Sequence, residues 1–172
     1  MSNHVVTIEE AKPSEARELL TLLKRLAQET DYISHTEAVL GANFEDIQAF
    51  IERSQSSFLD ICLLLRVGEQ LVGLLNIAAD VNKSSKSGNL FMAILKDYQG
   101  HGLGQLLLEL ALDWANHSDL ESLFLDVQVR NQVALHLYHK NGFHVINVKE
   151  NGIKSKDGEE WDVYDMCKHV TK

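Results

Sequence analysis

Residues 99–105 read Gln-Gly-His-Gly-Leu-Gly-Gln, with glycine at every second position from 100 to 104. A short apolar stretch, Asn89–Leu95, comes directly before them and is typical of a strand. The residues that follow carry apolar side chains at helical spacing, namely Leu103, Leu106, Leu107, Leu110, Ala111 and Trp114. The segment therefore predicts a strand, a glycine-rich turn and a helix.

Three glycines in a turn of this kind favour an anion site. The N-terminus of a helix exposes unpaired N–H groups and the positive end of the dipole, and glycine lets the backbone approach a phosphate closely. The alternative is a tight turn in which glycine only supplies a positive φ. The dinucleotide fingerprint G-x-G-x-x-G is not matched, because its last position falls on Gln105 or Leu107, and the P-loop pattern is absent. The motifs of NAD and nucleotide triphosphate binding are therefore excluded.

The rest of the chain predicts the element order β-α-α-β-β-β-α-β-α-β-β, in which strands and helices alternate only in the second half. Helices are expected from about Ser14 to Glu29, from near Asn43, after the glycines, and from the N-cap Asn131 to the glycine at 142. The predicted strands are His4–Ile8, Asp60–Val67, Gln70–Ala79, Asn89–Leu95, Leu123–Val129, Phe143–Val148 and Glu160–Met166, with the polar segment Lys149–Glu159 joining the last two. This order predicts a mixed sheet flanked by helices, in the α/β to α+β range.

Two motifs in this order resemble the GNAT acetyltransferase superfamily. Residues 99–104 fit its Gln/Arg-x-x-Gly-x-Gly/Ala signature, and Asn131–Phe143 looks like its Asn-x-x-Ala-x-x-Leu-Tyr-x-Lys-x-Gly-Phe segment. The closing residues 157–166 are similar to the last hairpin strand of bacterial members. The resemblance implies a single domain over residues 1–172. It also implies a mostly antiparallel central sheet of six or seven strands, about four helices, and a splayed strand for coenzyme A.

The resemblance further implies which residues hold acetyl-CoA. The end of the strand would pair with the pantetheine arm, and backbone N–H groups of the glycine turn would bind the pyrophosphate. Asn131 would contact the pantetheine chain, although a pure N-cap role is the alternative. Tyr138 would point its hydroxyl at the thioester sulfur, the alternative being an aromatic residue on a helix face. The implied cofactor-binding residues are Ile94, Leu95, Lys96, Gln99, Gly100, His101, Gly102, Leu103, Gly104, Gln105, Asn131 and Tyr138.

Direct acetyl transfer needs a thiolate that gains a proton and an amine that loses one. A phenol with an ordinary pKa of about 10 is a sensible proton donor to a thiolate, so Tyr138 is the predicted general acid. The general base is not settled by the sequence, because the strand before the turn has no carboxylate and Asn89 stands where the family often has Glu. Asp126, Asp80 and His101 are the candidates, and proton removal through water is the alternative.

Composition limits the partners. The 16 basic and 25 acidic residues give a formal net charge of −9, which argues against binding to nucleic-acid phosphates. No apolar run approaches the roughly 20 residues of a membrane span, and the N-terminus has no apolar signal segment, so a cytoplasmic protein is expected. No metal is predicted, because no further ligand at a recognisable spacing completes the histidines His136, His139 and His144.

The sequence therefore predicts an acetyl-CoA-dependent N-acetyltransferase that acts on a primary amine. A small molecule, a polyamine or a protein N-terminus could serve as acceptor, and the acidic composition suits a cationic one. The alternative is a catalytically silent acyl-CoA-binding sensor or interaction module of the same fold. A homodimer is expected from the resemblance, and Trp161 is expected either to line the acceptor pocket or to cover the sheet edge.

Overall fold

The computed structural model describes residues 4–33, 40–80, 82, 86–155 and 157–172. Its helices are α1 (Ala16–Glu29), α2 (Phe44–Ser56), α3 (Leu103–Asn116) and α4 (Gln132–Lys140). Its strands are β1 (Val6–Glu10), β2 (Ile61–Val67), β3 (Gln70–Ala79), β4 (Ser87–Ile94), β5 (Ser122–Gln128), β6 (His144–Lys154) and β7 (Glu160–His169). Short 3₁₀ turns, Pro13–Glu15 and Lys96–Tyr98, precede α1 and the glycine turn.

These strands form one seven-stranded sheet in the order β1-β2-β3-β4-β5-β7-β6. Each neighbouring pair is antiparallel except β4 and β5, which run parallel. The predicted mixed, mostly antiparallel sheet flanked by helices is therefore confirmed.

The core of the first half lies around β2 and β3. Five consecutive residues in each strand, Ile61–Leu65 and Leu71–Leu75, are buried. Because successive side chains of a strand point to opposite faces, both faces of these strands must be covered. The helices provide that cover with fully buried leucines, among them Leu19 and Leu26 of α1 and Leu107 and Leu108 of α3. Burial of each such leucine stabilises the fold by about 1.5–3 kcal/mol.

β4 and β5 separate soon after they begin. They pair only from Ser87 with Ser122 to Asn89 with Phe124. Beyond that point β4 stays paired with β3 as far as Ile94, and β5 stays paired with β7 as far as Gln128. The splayed strand that the resemblance implied is therefore present. We call the opening between residues 90–94 of β4 and residues 125–128 of β5 the gap.

The predicted boundaries were wrong at the edges of the sheet. The expected connection Lys149–Glu159 is largely strand, because β6 continues to Lys154 and pairs there with Glu160. β6 is an edge strand whose residues are mostly exposed, so its sequence lacks the apolar alternation that marks a strand. The first strand is Val6–Glu10 and not His4–Ile8. Within the predicted connection 149–159, residue 156 lies outside the described residues.

Neither cysteine is in a reactive position. Cys62 and Cys167 are both buried. Burial, together with the Glu15 carboxylate, raises the pKa of the Cys62 thiol to about 12, so this thiol stays protonated and unreactive. In the described part of the chain, no helix has the length and apolarity needed to cross a bilayer.

Arg66 of β2 ties the start of α1 to the sheet. Its Nη2 lies 2.6 Å from Glu15 Oε2, and its Nη1 lies 2.6 Å from Glu18 Oε2. The Arg66 side chain is 21% exposed, so these charge-assisted hydrogen bonds are partly shielded from water. The hydrogen bond from Arg66 lowers the pKa of Glu18, despite the opposing effect of burial.

We expect Arg66→Met to lower the free energy of unfolding by about 1–2 kcal/mol, because two carboxylates lose their donor. The control is Arg25→Met, which removes a more exposed pair with Glu29 within α1 and should cost less than about 0.5 kcal/mol. Because the pKa of Glu18 is lowered in the folded state, Glu18 contributes to the free energy of unfolding at pH values above its ordinary pKa of 4.5. This contribution is lost as the pH falls through the folded pKa. The difference between wild type and Arg66→Met in urea unfolding should therefore narrow at acid pH. A difference that did not change with pH would show that Arg66 acts by packing alone.

Candidate active site

The glycine turn, Gln99–Gly104, leads from β4 into α3. Gly100 and Gly102 have φ values of 81° and 80°, and a Cβ built on either would meet nothing within 4 Å. Glycine is therefore required there by the left-handed backbone and not by crowding within the chain. Gly102 is the N-cap of α3, and no side chain of the described residues caps this N-terminus. The first N–H groups of α3 are therefore donors without a side-chain partner, at the positive end of the helix dipole, and this combination suits an anion.

The end of β4 presents backbone groups to the gap. The Leu95 N–H donates to the Val72 carbonyl across to β3 at 2.8 Å. Because orientation alternates along an antiparallel ladder, the backbone groups of Met92 and Ile94 face the other way, towards β5. The Ile94 carbonyl accepts a hydrogen bond from Gln99 Nε2 at 2.9 Å, and the Lys96 N–H donates to Glu29 Oε1 at 2.9 Å. Of the three predicted pantetheine-pairing residues, Ile94 is therefore the one whose N–H faces the gap.

Two predicted residues have side chains with structural partners. Gln105 and Asn141 exchange two amide hydrogen bonds, at 3.0 and 2.8 Å, which join the start of α3 to the end of α4. The Asn131 side chain accepts from the Ala134 N–H at 3.3 Å, so its predicted role as N-cap of α4 is confirmed. His101 is exposed within the glycine turn.

Tyr138 lies on α4 and is 7% exposed. Its ring packs edge-on against Phe143, with 5.8 Å between the centroids. Burial, and then the Asp126 carboxylate, raise the pKa of the phenol well above its ordinary value. Tyr138 is therefore protonated throughout the neutral pH range. Among the described residues the structure gives its hydroxyl no hydrogen-bond partner, so this donor is available to a ligand.

The three candidate bases lie in different places. Asp126 is on β5, two residues beyond the last β4–β5 pair, and its charge acts on Tyr138. Asp80 follows β3 at the closed end of the gap, where its carboxylate accepts from the Asn82 N–H and from Asn89 Nδ2. His101 is at the open end, in the glycine turn. The structure therefore brings Asp126, and not Asp80, to the predicted acid.

A bridge across the open end of the gap was not predicted from the sequence. Glu29, the last residue of α1, accepts from the Lys96 N–H beyond β4. Two residues later, the Asp31 carbonyl accepts from Gln128 Nε2 at the end of β5 at 2.6 Å. Tyr32 then packs against the Arg130 guanidinium, which also lies over the Trp161 ring. These contacts join positions up to about a hundred residues apart, and no local sequence pattern marks such pairs.

No group of three or more histidine, cysteine, aspartate or glutamate side chains in the described residues is arranged to hold a metal ion.

Comparisons with known proteins agree with this geometry. The family model for acetyltransferases of the GNAT family matches residues 16–143, and the chain belongs to this family. A GNAT-family acetyltransferase from Streptococcus pneumoniae, of known structure, is 39% identical; the match covers 96% of this chain and 100% of that one, with a TM-score of 0.91.

More distant relatives have named acceptors. A ribosomal protein bS18 alanine N-acetyltransferase from Escherichia coli is 35% identical over 69 residues, which are 40% of this chain and 47% of that protein. The chain thus spans about half the length of the curated relatives it matches. The spermidine N-acetyltransferase from Vibrio cholerae, solved with CoA and spermine, has a TM-score of 0.76 and 20% identity over 96% of this chain and 95% of that one. At that identity the likeness shows the fold alone.

The glycine turn allows a matched pair of substitutions. We expect Gly102→Ala to lower the free energy of unfolding by about 1 kcal/mol, because its φ of 80° is strained for any residue with a Cβ. Gly104→Ala should cause no loss, because a Cβ there makes an ordinary 3.4 Å contact with Leu137 Cδ2 and alanine favours a helix by about 1 kcal/mol. Urea unfolding of both variants tests this, and equal destabilisation by the two would contradict it.

Proposed function

We propose that this protein is an acetyl-CoA-dependent N-acetyltransferase that acts on a primary amine. The observation that carries the proposal is the junction of the gap with the glycine turn. There the unpaired edge of β4 leads directly to the uncapped N-terminus of α3. An extended chain that ends in a pyrophosphate matches both parts. The cytoplasmic location, the single domain and the homodimer stay predictions.

The residues present fit acetyl-CoA. The N–H groups between Gln99 and Gln105 would bind the pyrophosphate, because they lie at a helix N-terminus whose two left-handed glycines leave the approach open. The backbone of Ile94, with that of Met92, would pair with the pantetheine arm, and Asn131 would approach that arm from the start of α4. When bound, acetyl-CoA supplies an acetyl group activated as a thioester.

Tyr138 would donate a hydrogen bond to the sulfur that leaves. A phenol is already protonated at neutral pH and burial raises the pKa of Tyr138 further, so it carries a proton that it could give to the sulfur as negative charge develops there. Asp126 would assist removal of the amine proton, directly or through water. Its side chain is exposed, its charge acts on Tyr138, and within the described ranges it forms no ion pair or hydrogen bond.

The acceptor is proposed only as a primary amine. One matched relative is named for an alanine of ribosomal protein bS18 and another for spermidine, so the named acceptors include a protein and a polyamine. Both classes share an amine that must be uncharged when it attacks a carbonyl carbon. Holding it in line with the thioester supplies much of the acceleration.

The first test is calorimetric titration with acetyl-CoA. We expect a dissociation constant in the micromolar range, about −8 kcal/mol, because both the backbone of β4 and the glycine turn contribute. S-acetylpantetheine, which lacks the pyrophosphate, should bind at least about tenfold more weakly, since it leaves the N-terminus of α3 without its anion. Absence of acetyl-CoA binding up to millimolar concentration would refute the proposed function and leave only the shared fold.

The second test concerns Tyr138. We expect Tyr138→Phe to lower thiol release about 10²–10⁴-fold while acetyl-CoA binds as before, because only the proton donor is lost and the ring still packs on Phe143. The control is Tyr98→Phe, whose hydroxyl bonds Gln70 at 2.9 Å and should leave turnover unchanged. Unchanged turnover in Tyr138→Phe would remove this phenol from the mechanism. Acetyl-CoA binding without thiol release for any amine would favour the silent acyl-CoA-binding alternative.

A further inference from the structure

Arg130 stands just beyond the end of β5, and two aromatic rings hold its guanidinium. Its Cζ lies 4.0 Å from the centroid of the Trp161 ring and 5.0 Å from that of Tyr32. Its Nε donates to Oε1 of the buried Gln128 at 2.7 Å. Each such cation–π contact contributes about 0.5–1 kcal/mol or more. The guanidinium is therefore fixed in place before any ligand arrives, which lowers the entropy lost on binding.

Part of this guanidinium has no hydrogen-bond partner among the described residues. Arginine has five N–H donors, of which Nε is taken by Gln128 and Nη2 makes one long contact, 3.5 Å, with the Asp31 carbonyl. Within the residues that the structure describes, Nη1 has no hydrogen-bond partner and no carboxylate pairs with Arg130. The Nη1 and Nη2 donors together form the planar fork that matches the two oxygens of a carboxylate.

The position of Arg130 relates it to the reacting groups. Arg130 lies two residues beyond the end of β5 and directly before Asn131, the N-cap of the helix that carries Tyr138. The bridge from Glu29 to Tyr32 crosses the same open end and contacts Arg130 at Asp31 and Tyr32. Arg130 therefore stands at the mouth of the gap, between this bridge and the start of the helix that carries Tyr138.

We propose that Arg130 binds a carboxylate of the acceptor, so that the substrate is an amine that also carries a carboxylate, an amino acid. This inference rests on the proposed function and names the acceptor class for the same site. The net charge of −9 favours cationic ligands at long range. At contact distance that field is screened, and the fixed guanidinium of Arg130 favours a carboxylate. A carboxylate there would gain charge-assisted hydrogen bonds that a polyamine cannot make.

The experiment measures thiol release from acetyl-CoA with a panel of α-, β- and γ-amino acids and the carboxamide of each. We expect wild-type kcat/KM to be at least about tenfold higher for an acid than for its carboxamide, mainly through KM, because one charge-assisted hydrogen-bonded pair is lost. Arg130→Met should abolish this preference and leave the acetyl-CoA dissociation constant unchanged. Arg130→Lys should retain part of the preference for acids, because lysine keeps the positive charge but lacks the two parallel donors of the guanidinium.

Arg53→Met is the matched control, because Arg53 also lies over an aromatic ring, that of Phe50, but on α2. It should keep the preference for acids. Equal kcat/KM for acids and carboxamides, faster turnover of spermidine or of an uncharged peptide N-terminus, or no turnover of any amino acid would each overturn the proposal for Arg130. Failure of the proposed function is seen separately, as absence of acetyl-CoA binding, a measurement that does not involve Arg130.

Discussion

The end of pairing between β4 and β5 after Asn89 and Phe124 is the constraint on which the rest of the structure depends. A backbone N–H or carbonyl that leaves a ladder must find another partner, and a buried group without one costs about 1–3 kcal/mol. The chain meets part of this need itself, since Gln99 donates to the Ile94 carbonyl. It can keep the strands apart because each is held on its other side, β4 by β3 and β5 by β7. The opening is therefore stable without a ligand and is chemically suited to an extended one.

The glycine turn follows from the same constraint. β4 has to end at the gap and α3 has to begin beside it, so the chain reverses within a few residues through two left-handed positions. A side chain with an N-cap oxygen at 102 would satisfy the first N–H groups of α3 and remove them from an anion. Glycine at that position serves the turn and leaves those donors unused. One residue choice thus accounts for both the local geometry and the proposed binding of a pyrophosphate.

Much of the fold could be predicted because its signals are local. The apolar spacing of α3, the cap at Asn131 and the buried strands β2 and β3 are each visible within a dozen residues. The second half of β6 was missed because an exposed edge strand needs no apolar face. The bridge from Glu29 to Tyr32 and its contact with Arg130 could not be foreseen, because they depend on how distant elements meet. The sequence also left three candidate bases, and only the structure shows that Asp126 lies where its charge reaches Tyr138.

On the proposed function, the effect of Asp126 on Tyr138 would couple the proposed base to the proposed acid. While Asp126 is ionised it raises the pKa of Tyr138, so the phenol holds its proton firmly and is a weak acid. If Asp126 took the proton of the amine, its carboxylate would become neutral and this contribution to the pKa of Tyr138 would disappear. The phenol would then be a stronger acid at the stage when the sulfur leaves and needs a proton. Burial alone would raise the pKa of the phenol equally at every stage, whereas the contribution of Asp126 would depend on whether the amine had been deprotonated.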